Sequence, residues 1–196
     1  MRTISISREE KRRTLFDAVE SIRETIIAGA QQAERDMTLP PASVDALYKS
    51  GLFGLKLPEV LGGAEADPVT QMEVMEAVAL YDSSASWCMM IGATSIGSPG
   101  AFLSDEGIRE VFRGGRVPRA AGSGAPTGRV TPVNGGYRIT GRWPFASGIR
   151  HSQWVAGGIT VPNDDADPEI RRALFLTSEV KVHDNWDVMG LRGTGS

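Results

Sequence analysis

Gly135-Gly136-Tyr137-Arg138-Ile139-Thr140-Gly141-Arg142-Trp143-Pro144-Phe145-Ala146-Ser147-Gly148 is the stretch on which the reading of the fold turns. It opens as a hairpin signal, because Asn134-Gly135 supplies the positive backbone angles of a tight primed turn, with β-prone runs over residues 130–133 and 137–140 on either side. Tyr137 and Ile139 alternate with Arg138 and Thr140, the pattern of a half-buried strand. Gly141 breaks that strand. Beyond it Trp143, Phe145 and Trp154 set large flat side chains beside the small Ala146, Ser147 and Gly148. Small residues let a backbone approach a flat ligand and aromatic rings stack on one, although the same mixture also makes a well-packed β corner.

Outward from this stretch the chain divides. From Arg116 onward the apolar period is two. Short strands are expected at residues 117–121, 128–133, 136–140, 143–146, 153–161, 173–177 and 180–183, with the acidic run 164–167 as a solvated loop tip. Strands at this spacing, without helices between them, imply an antiparallel barrel or sandwich. Ala121-Gly122-Ser123-Gly124-Ala125-Pro126-Thr127-Gly128 is glycine-rich but leads into a hairpin, which argues against a Rossmann site. Before Arg116 the period is three to four. Residues 8–36 read as a long amphipathic helix with Leu15, Val19, Ile22, Ile26 and Ala30 on its apolar face. Pro41 opens a short second helix that carries Val44, Leu47 and Tyr48 and stops at Gly51. Pro58-Glu59-Val60-Leu61-Gly62-Gly63 is loop chemistry. Asp67 caps a third helix, Pro68 takes its first position, and Met72, Met75, Val78 and Ala79 are its expected buried stripe. A fourth helix follows Asp82-Ser83-Ser84. It is almost without charge, so it must be buried nearly all round. Ser104 caps a fifth, short one. The expected fold class is α+β, with an all-helical domain over residues 1–116 followed by a β-domain over residues 117–196.

Composition excludes several functions. A net charge of −3 over 196 residues leaves no basic footprint for nucleic acid or an anionic membrane. No apolar run reaches the roughly 18 residues of a membrane span, and residues 1–13 lack the apolar core of a secretory signal. The one cysteine, Cys88, permits no internal disulfide, fits a cytoplasmic protein and reads as a core residue. The two histidines, His151 and His183, make no metal-ligand spacing and read as structural.

The order of the segments carries more. Gly-Gly-Tyr-Arg-Ile-Thr-Gly-Arg-Trp-Pro-Phe-Ala-Ser-Gly (residues 135–148), the glycine-rich residues 121–128, Pro-Glu-Val-Leu-Gly-Gly (58–63) and Gly-Leu-Arg-Gly-Thr-Gly-Ser (190–196) together resemble the acyl-CoA dehydrogenase superfamily. They look closest to its flavin-dependent two-component hydroxylases, and the resemblance runs over residues 15–196. It implies an oxidoreductase holding FAD or FMN. For a monooxygenase the flavin arrives reduced from a separate flavin reductase; for a dehydrogenase, FAD stays tightly bound. It also implies a small-molecule substrate and a homo-oligomer. By the same resemblance Ser123 and Thr127 flank the flavin's polar edge, and Phe145, Ala146 and Ser147 run past the reactive N5. Ser147 is then the group that bonds N5, Trp143 and Phe145 are stacking walls, and Trp87, Met90 and Thr94 line the substrate pocket, unless they simply fill the core.

Two features depart from the pattern. The fourth helix lacks the histidine that hydroxylases of this branch place there. The loop lacks the Thr-Glu-Pro and Gly-Ser-Asp of dehydrogenases. The superfamily also continues into a C-terminal four-helix bundle, absent from these 196 residues. The expectation is therefore a truncated β-domain with an open edge and half a flavin site. The alternative to an enzyme is a non-catalytic remnant or association subunit.

Overall fold

The computed structural model describes residues 7–163 and 166–196; Asp164 and Asp165 of the expected acidic tip, and residues 1–6 of the N-terminal stretch, lie outside them. Over the described residues there are five α-helices and then four strands: α1 (Arg8–Asp36), α2 (Pro41–Lys49), α3 (Pro68–Ala79), α4 (Ser83–Phe102), α5 (Asp105–Val111), β1 (Ala120–Val133), β2 (Gly136–Thr140), β3 (Trp154–Val161) and β4 (Glu169–Leu176). This is the expected α+β order.

Helix α1 starts where Ser7 accepts from the Glu10 amide, and it buries Leu15, Val19, Ile22, Ile26 and Ala33. The expected Ala30 is only half-buried, because the stripe drifts at 3.6 residues per turn and the next position inward is Ala33. Asp67 caps α3 by accepting from the amides of Val69 and Thr70. The Thr70 hydroxyl, 2.6 Å away, also donates to it and is the first cause of a carboxyl pKa pulled down to about 2. The α3 stripe differs from expectation. Thr70, Val74 and Val78 are buried, whereas Met72 is 65% exposed. Apolar residues surround this helix, so composition leaves its inward face open and the four-residue Thr-Val-Val step decides it.

α4 has no charged side chain and runs past Pro99 to Phe102, further than its sequence pattern indicated. It packs between α1, α3 and the sheet. At Gly92 an added Cβ would sit 2.7 Å from the Phe53 ring and 3.3 Å from the Ala120 carbonyl, so the helix meets the sheet there by backbone contact. Ile26, Leu47, Leu52, Leu55 and Met89 are fully buried around it. Each large apolar side chain so placed contributes roughly 1.5–3 kcal/mol.

The sheet order is β2-β1-β3-β4. β1 pairs antiparallel with β2 and β3 with β4, but β1 and β3 run parallel, so the sheet is mixed where an antiparallel one was expected. The two strands expected at 117–121 and 128–133 are one strand, and the glycine-rich segment between them is a register shift from Ser123 to Gly128. In the hairpin only Gly135 takes a positive φ, 82°, while Asn134 does not, so the turn is not of the doubly left-handed primed kind. Residues 143–146 and 180–183 are not strands: Pro144 lacks an amide donor, Phe145 is left-handed (φ 59°), and 180–183 form an irregular strap.

Among the described residues no helix is long and apolar enough to cross a membrane. Cys88 is buried in the core, and burial pushes its thiol up, as expected of a packing residue. His151 packs 6.2 Å from the Phe53 ring; burial first, and then the Arg119 charge, lower its pKa from 6.5 to about 4. A base held neutral in the fold stabilises above its unfolded pKa and loses that contribution as pH falls through the folded one. The denaturation midpoint is therefore expected to fall between pH 6.5 and pH 4, and His151→Leu to flatten that slope in a urea titration.

Candidate functional site

An open groove of about 1150 Å³ runs along the sheet beneath the strap. Trp143 is its floor. Its indole Nε1 donates to the Gly158 carbonyl at 2.7 Å, and its ring lies 5.2 Å from Phe175. The close fit depends on Gly157, where a Cβ would stand 2.9 Å from Trp143 Cε2 and 3.1 Å from Phe175 Cε1. Tyr137 and Ile139 line the β2 wall. Their alternation was legible, but the face it defines is this groove and not a core; Tyr137 is 67% exposed.

Phe145 is the most unusual residue here. A bulky residue in the left-handed region costs energy, and such outliers gather at functional sites. Its ring is 66% exposed and meets Trp186 edge-on at 6.1 Å. Thr127 and Ala146 complete the groove, with the Thr127 hydroxyl donating to the Arg142 carbonyl at 2.7 Å. Ser123 lies beneath, 7% exposed, paired with Gly157 and so on the face that Trp143 covers.

Ser147 is buried behind the groove, between its lining residues Ala146 and Ser196, and turns toward α4. Trp87 Nε1 donates to its hydroxyl at 3.0 Å, and Ser147 shares a hydrogen bond with the Ser196 hydroxyl. Ser196 is 3.1 Å from the Thr194 hydroxyl, which donates to the Leu191 carbonyl at 2.8 Å. One proton per hydroxyl fixes the direction: Trp87 to Ser147, Ser147 to Ser196, Ser196 to Thr194, Thr194 to the Leu191 carbonyl. That carbonyl also accepts from Trp186 Nε1 at 3.1 Å. The run thus joins Trp87 of α4 to the Trp186–Phe145 pair in the groove. Residues 191–196 are held in place by the Gly148 amide donating to the Thr194 carbonyl at 2.8 Å and by Arg192 Nε donating to the Glu34 carbonyl at 3.2 Å.

Trp87, Met90 and Thr94 are not core residues. Together with Ser83, Ile91 and Ser98 they make the single stripe of α4 that neighbouring elements leave uncovered, and Trp87 is 42% exposed. Hence the residues expected near a flavin divide into groove-lining Thr127, Trp143, Phe145 and Ala146, underlying Ser123, and Ser147 at the junction with the expected substrate stripe.

Sequence reasoning missed Lys56, half-buried, whose Nζ donates to Thr94 Oγ1 at 2.7 Å on that stripe. The available signal was a lysine inside the apolar run Leu52-Phe53-Gly54-Leu55-Lys56-Leu57. It also missed the Trp186 and Ser196 contacts, which arise only in the tertiary fold. Among the described residues no cluster of His, Cys, Asp or Glu could hold a metal ion.

A helical layer against a mixed sheet, with an aromatic groove along the sheet and one open stripe on the central helix, defines an α+β protein. The chain belongs to the acyl-CoA dehydrogenase family: residues 9–107 match the acyl-CoA dehydrogenase N-terminal domain. It is 32% identical over 181 residues to the oxygenase subunit HsaA of a flavin-dependent monooxygenase from Rhodococcus jostii, covering 91% of this chain and 46% of that protein. It is 31% identical to an indole-3-acetate monooxygenase of Pseudomonas putida, covering 78% of this chain and 39% of the other. Among solved structures, XiaF from Streptomyces, in complex with FADH2 and glycerol, superposes with a TM-score of 0.85 at 28% identity, covering 96% of this chain and 48% of XiaF. The chain spans about half the length of the relatives it matches.

Replacing Gly157 with valine should displace the Trp143 indole from the Gly158 carbonyl. Overpacking of this kind costs about 1–3 kcal/mol, which thermal unfolding of Gly157→Val against wild type would register as a lower midpoint.

Proposed function

We propose that this chain carries the flavin- and substrate-facing surfaces of the oxygenase component of a two-component monooxygenase. In this reading a separate reductase supplies the reduced flavin, and the substrate is a small aromatic molecule. One observation carries the reading. The run from Trp87 through Ser147 and Ser196 brings the aromatic groove and the open stripe of α4 to a common point, so that a flat cofactor in one meets a substrate on the other. The residues fit such a group. The groove is at or above the upper end of the volumes usual for small-molecule sites, and it has a glycine-seated indole floor and an exposed, left-handed Phe145. A reduced flavin, when bound, activates dioxygen so that one oxygen atom passes to the substrate.

The chain's own residues bind and orient. Trp143 and Phe145 offer ring faces. Ser147 is a rotor. Because Trp87 already donates to its oxygen, its one proton can go either to Ser196 or to a ligand atom at the groove end. Reduced flavin carries a hydrogen on N5 and would donate it to the second lone pair of the Ser147 oxygen while the Ser147 proton stays on Ser196, whereas the oxidised ring could bond only by drawing that proton off Ser196, so the reduced form is favoured. Trp87 and Met90 present a largely apolar wall to the substrate, with Thr94 at its far end. Supporting the monooxygenase over the dehydrogenase branch, the HsaA and indole-3-acetate relatives are oxygenases by name, and XiaF holds FADH2.

The test is a titration of the purified chain with FAD and FMN, each oxidised and reduced. Reduced flavin should bind more tightly than oxidised. Ser147→Ala should weaken the reduced form by roughly tenfold, the worth of one buried hydrogen bond, and narrow the gap between the two forms. A folded wild-type chain that binds neither flavin would sink the reading and turn attention to an association role. Equal weakening of both redox forms by Ser147→Ala would remove Ser147 from N5.

A further inference from the structure

Lys56 has an arrangement that packing does not explain. Its backbone lies directly on α4: a Cβ added at Gly97 would stand 2.9 Å from Lys56 Cβ and 3.2 Å from its carbonyl oxygen. From there the side chain reaches Thr94, one turn earlier on the helix. Nζ donates to Thr94 Oγ1 at 2.7 Å, and the Thr94 hydroxyl passes its own proton to the Met90 carbonyl at 2.8 Å. Thr94 is therefore a pure acceptor toward the ammonium. An ammonium carries three donors, and among the described residues Thr94 is the only side-chain partner of this one. No carboxylate among the described residues pairs with it; the ion pairs of Lys11 with Glu59 and of Lys49 with Asp45 lie elsewhere. Burial lowers its pKa, the mark of a cation whose lost hydration is not made good by an opposite charge. α4 brings no charge of its own to offset it.

The position gives this cation its use. Thr94 lies on the uncovered stripe of α4, with Met90 and Ile91 between it and Trp87. Seven residues at 1.5 Å each put Thr94 about 10 Å along the helix from Trp87, which holds Ser147. We propose that Lys56 and Thr94 form the anion-accepting end of the substrate site, and that the chain's substrates are aromatic carboxylates. The carboxylate takes the two free ammonium protons. The ring lies over Met90 and Ile91, where a thioether makes a favourable aromatic contact. The ring carbon remote from the carboxylate then faces the Ser147 end. This assignment rests on the reading above that the α4 stripe faces substrate. It adds to that reading a charge requirement, which the apolar wall alone would not impose.

The experiment compares 3-phenylpropionate with its neutral isostere 3-phenylpropionamide by calorimetric titration of the purified chain. Wild type should bind the carboxylate more tightly than the amide. Lys56→Met should weaken the carboxylate by roughly tenfold or more, the worth of a charge-assisted hydrogen bond, and leave the amide unchanged. Lys56→Gln keeps a donor for Thr94 without the charge, so it should lose the preference as well, whereas Lys56→Arg should retain it. Exchanging an unpaired, half-buried cation for methionine does not threaten the fold, and a thermal midpoint at or above wild type would show this. Equal affinity of wild type for the two probes, failure to bind either, or a parallel loss of both in Lys56→Met would each overturn the proposal. Flavin affinity, measured on the same proteins, separates the two readings. A carboxylate preference without flavin binding leaves Lys56 in place and removes the flavin site. Flavin binding without a carboxylate preference does the reverse.

Discussion

Everything in this molecule depends on how α4 is enclosed. A helix of 20 residues without a charged side chain cannot present most of its surface to water. α1, α3 and the segment around Phe53 cover it on one side, and β1 covers it on another. At Gly92 the missing side chain lets the Phe53 ring and the Ala120 carbonyl both close on the helix, at 2.7 Å and 3.3 Å from where a Cβ would stand. One stripe is left. That the remainder is sealed is what gives Trp87, Met90 and Thr94 their meaning, because on a loosely packed helix a few open apolar residues would indicate nothing.

The second constraint is the segment 191–196, which wedges between the end of α1, the start of α4 and the turn after Phe145. A Cβ at Gly193 would meet Ala33 at 2.8 Å and Ser84 at 3.0 Å. This wedge brings Thr194 and Ser196 up to Ser147 and ties Trp186 to the same carbonyl as Thr194. Groove and stripe are thereby joined by one run of hydrogen bonds, from Trp87 through Ser147, Ser196 and Thr194 to the carbonyl that also holds Trp186.

Much of the fold was legible in the sequence, and the reasons are physical. Leu15, Val19, Ile22 and Ile26 have a helix period that no other structure accommodates, and Asp67-Pro68 is a helix start by chemistry. Asn134-Gly135 located the hairpin, although only Gly135 supplies the left-handed angle. The parallel pairing of β1 with β3 was not legible, because strand direction depends on connections and not on alternation. Met72 was misplaced because α3 carries apolar residues on more than one side, so its pattern leaves the inward face open. At the candidate site, residue types pointed to the groove, but partners did not. Nothing local in Ser147 tells that its oxygen is held by Trp87, 60 positions earlier, and a lysine at 56 has significance only once Thr94 is beside it.

Phe145 has a consequence for how such a chain can change. Its left-handed backbone costs about 1–2 kcal/mol that glycine would not incur, while its ring forms the groove's edge contact with Trp186. Selection for thermal stability alone would therefore drift toward glycine here and strip the groove of an aromatic wall. Stability and the aromatic edge of the groove are opposed at this position, so a library screened only for folding would enrich variants that have lost the Phe145–Trp186 contact.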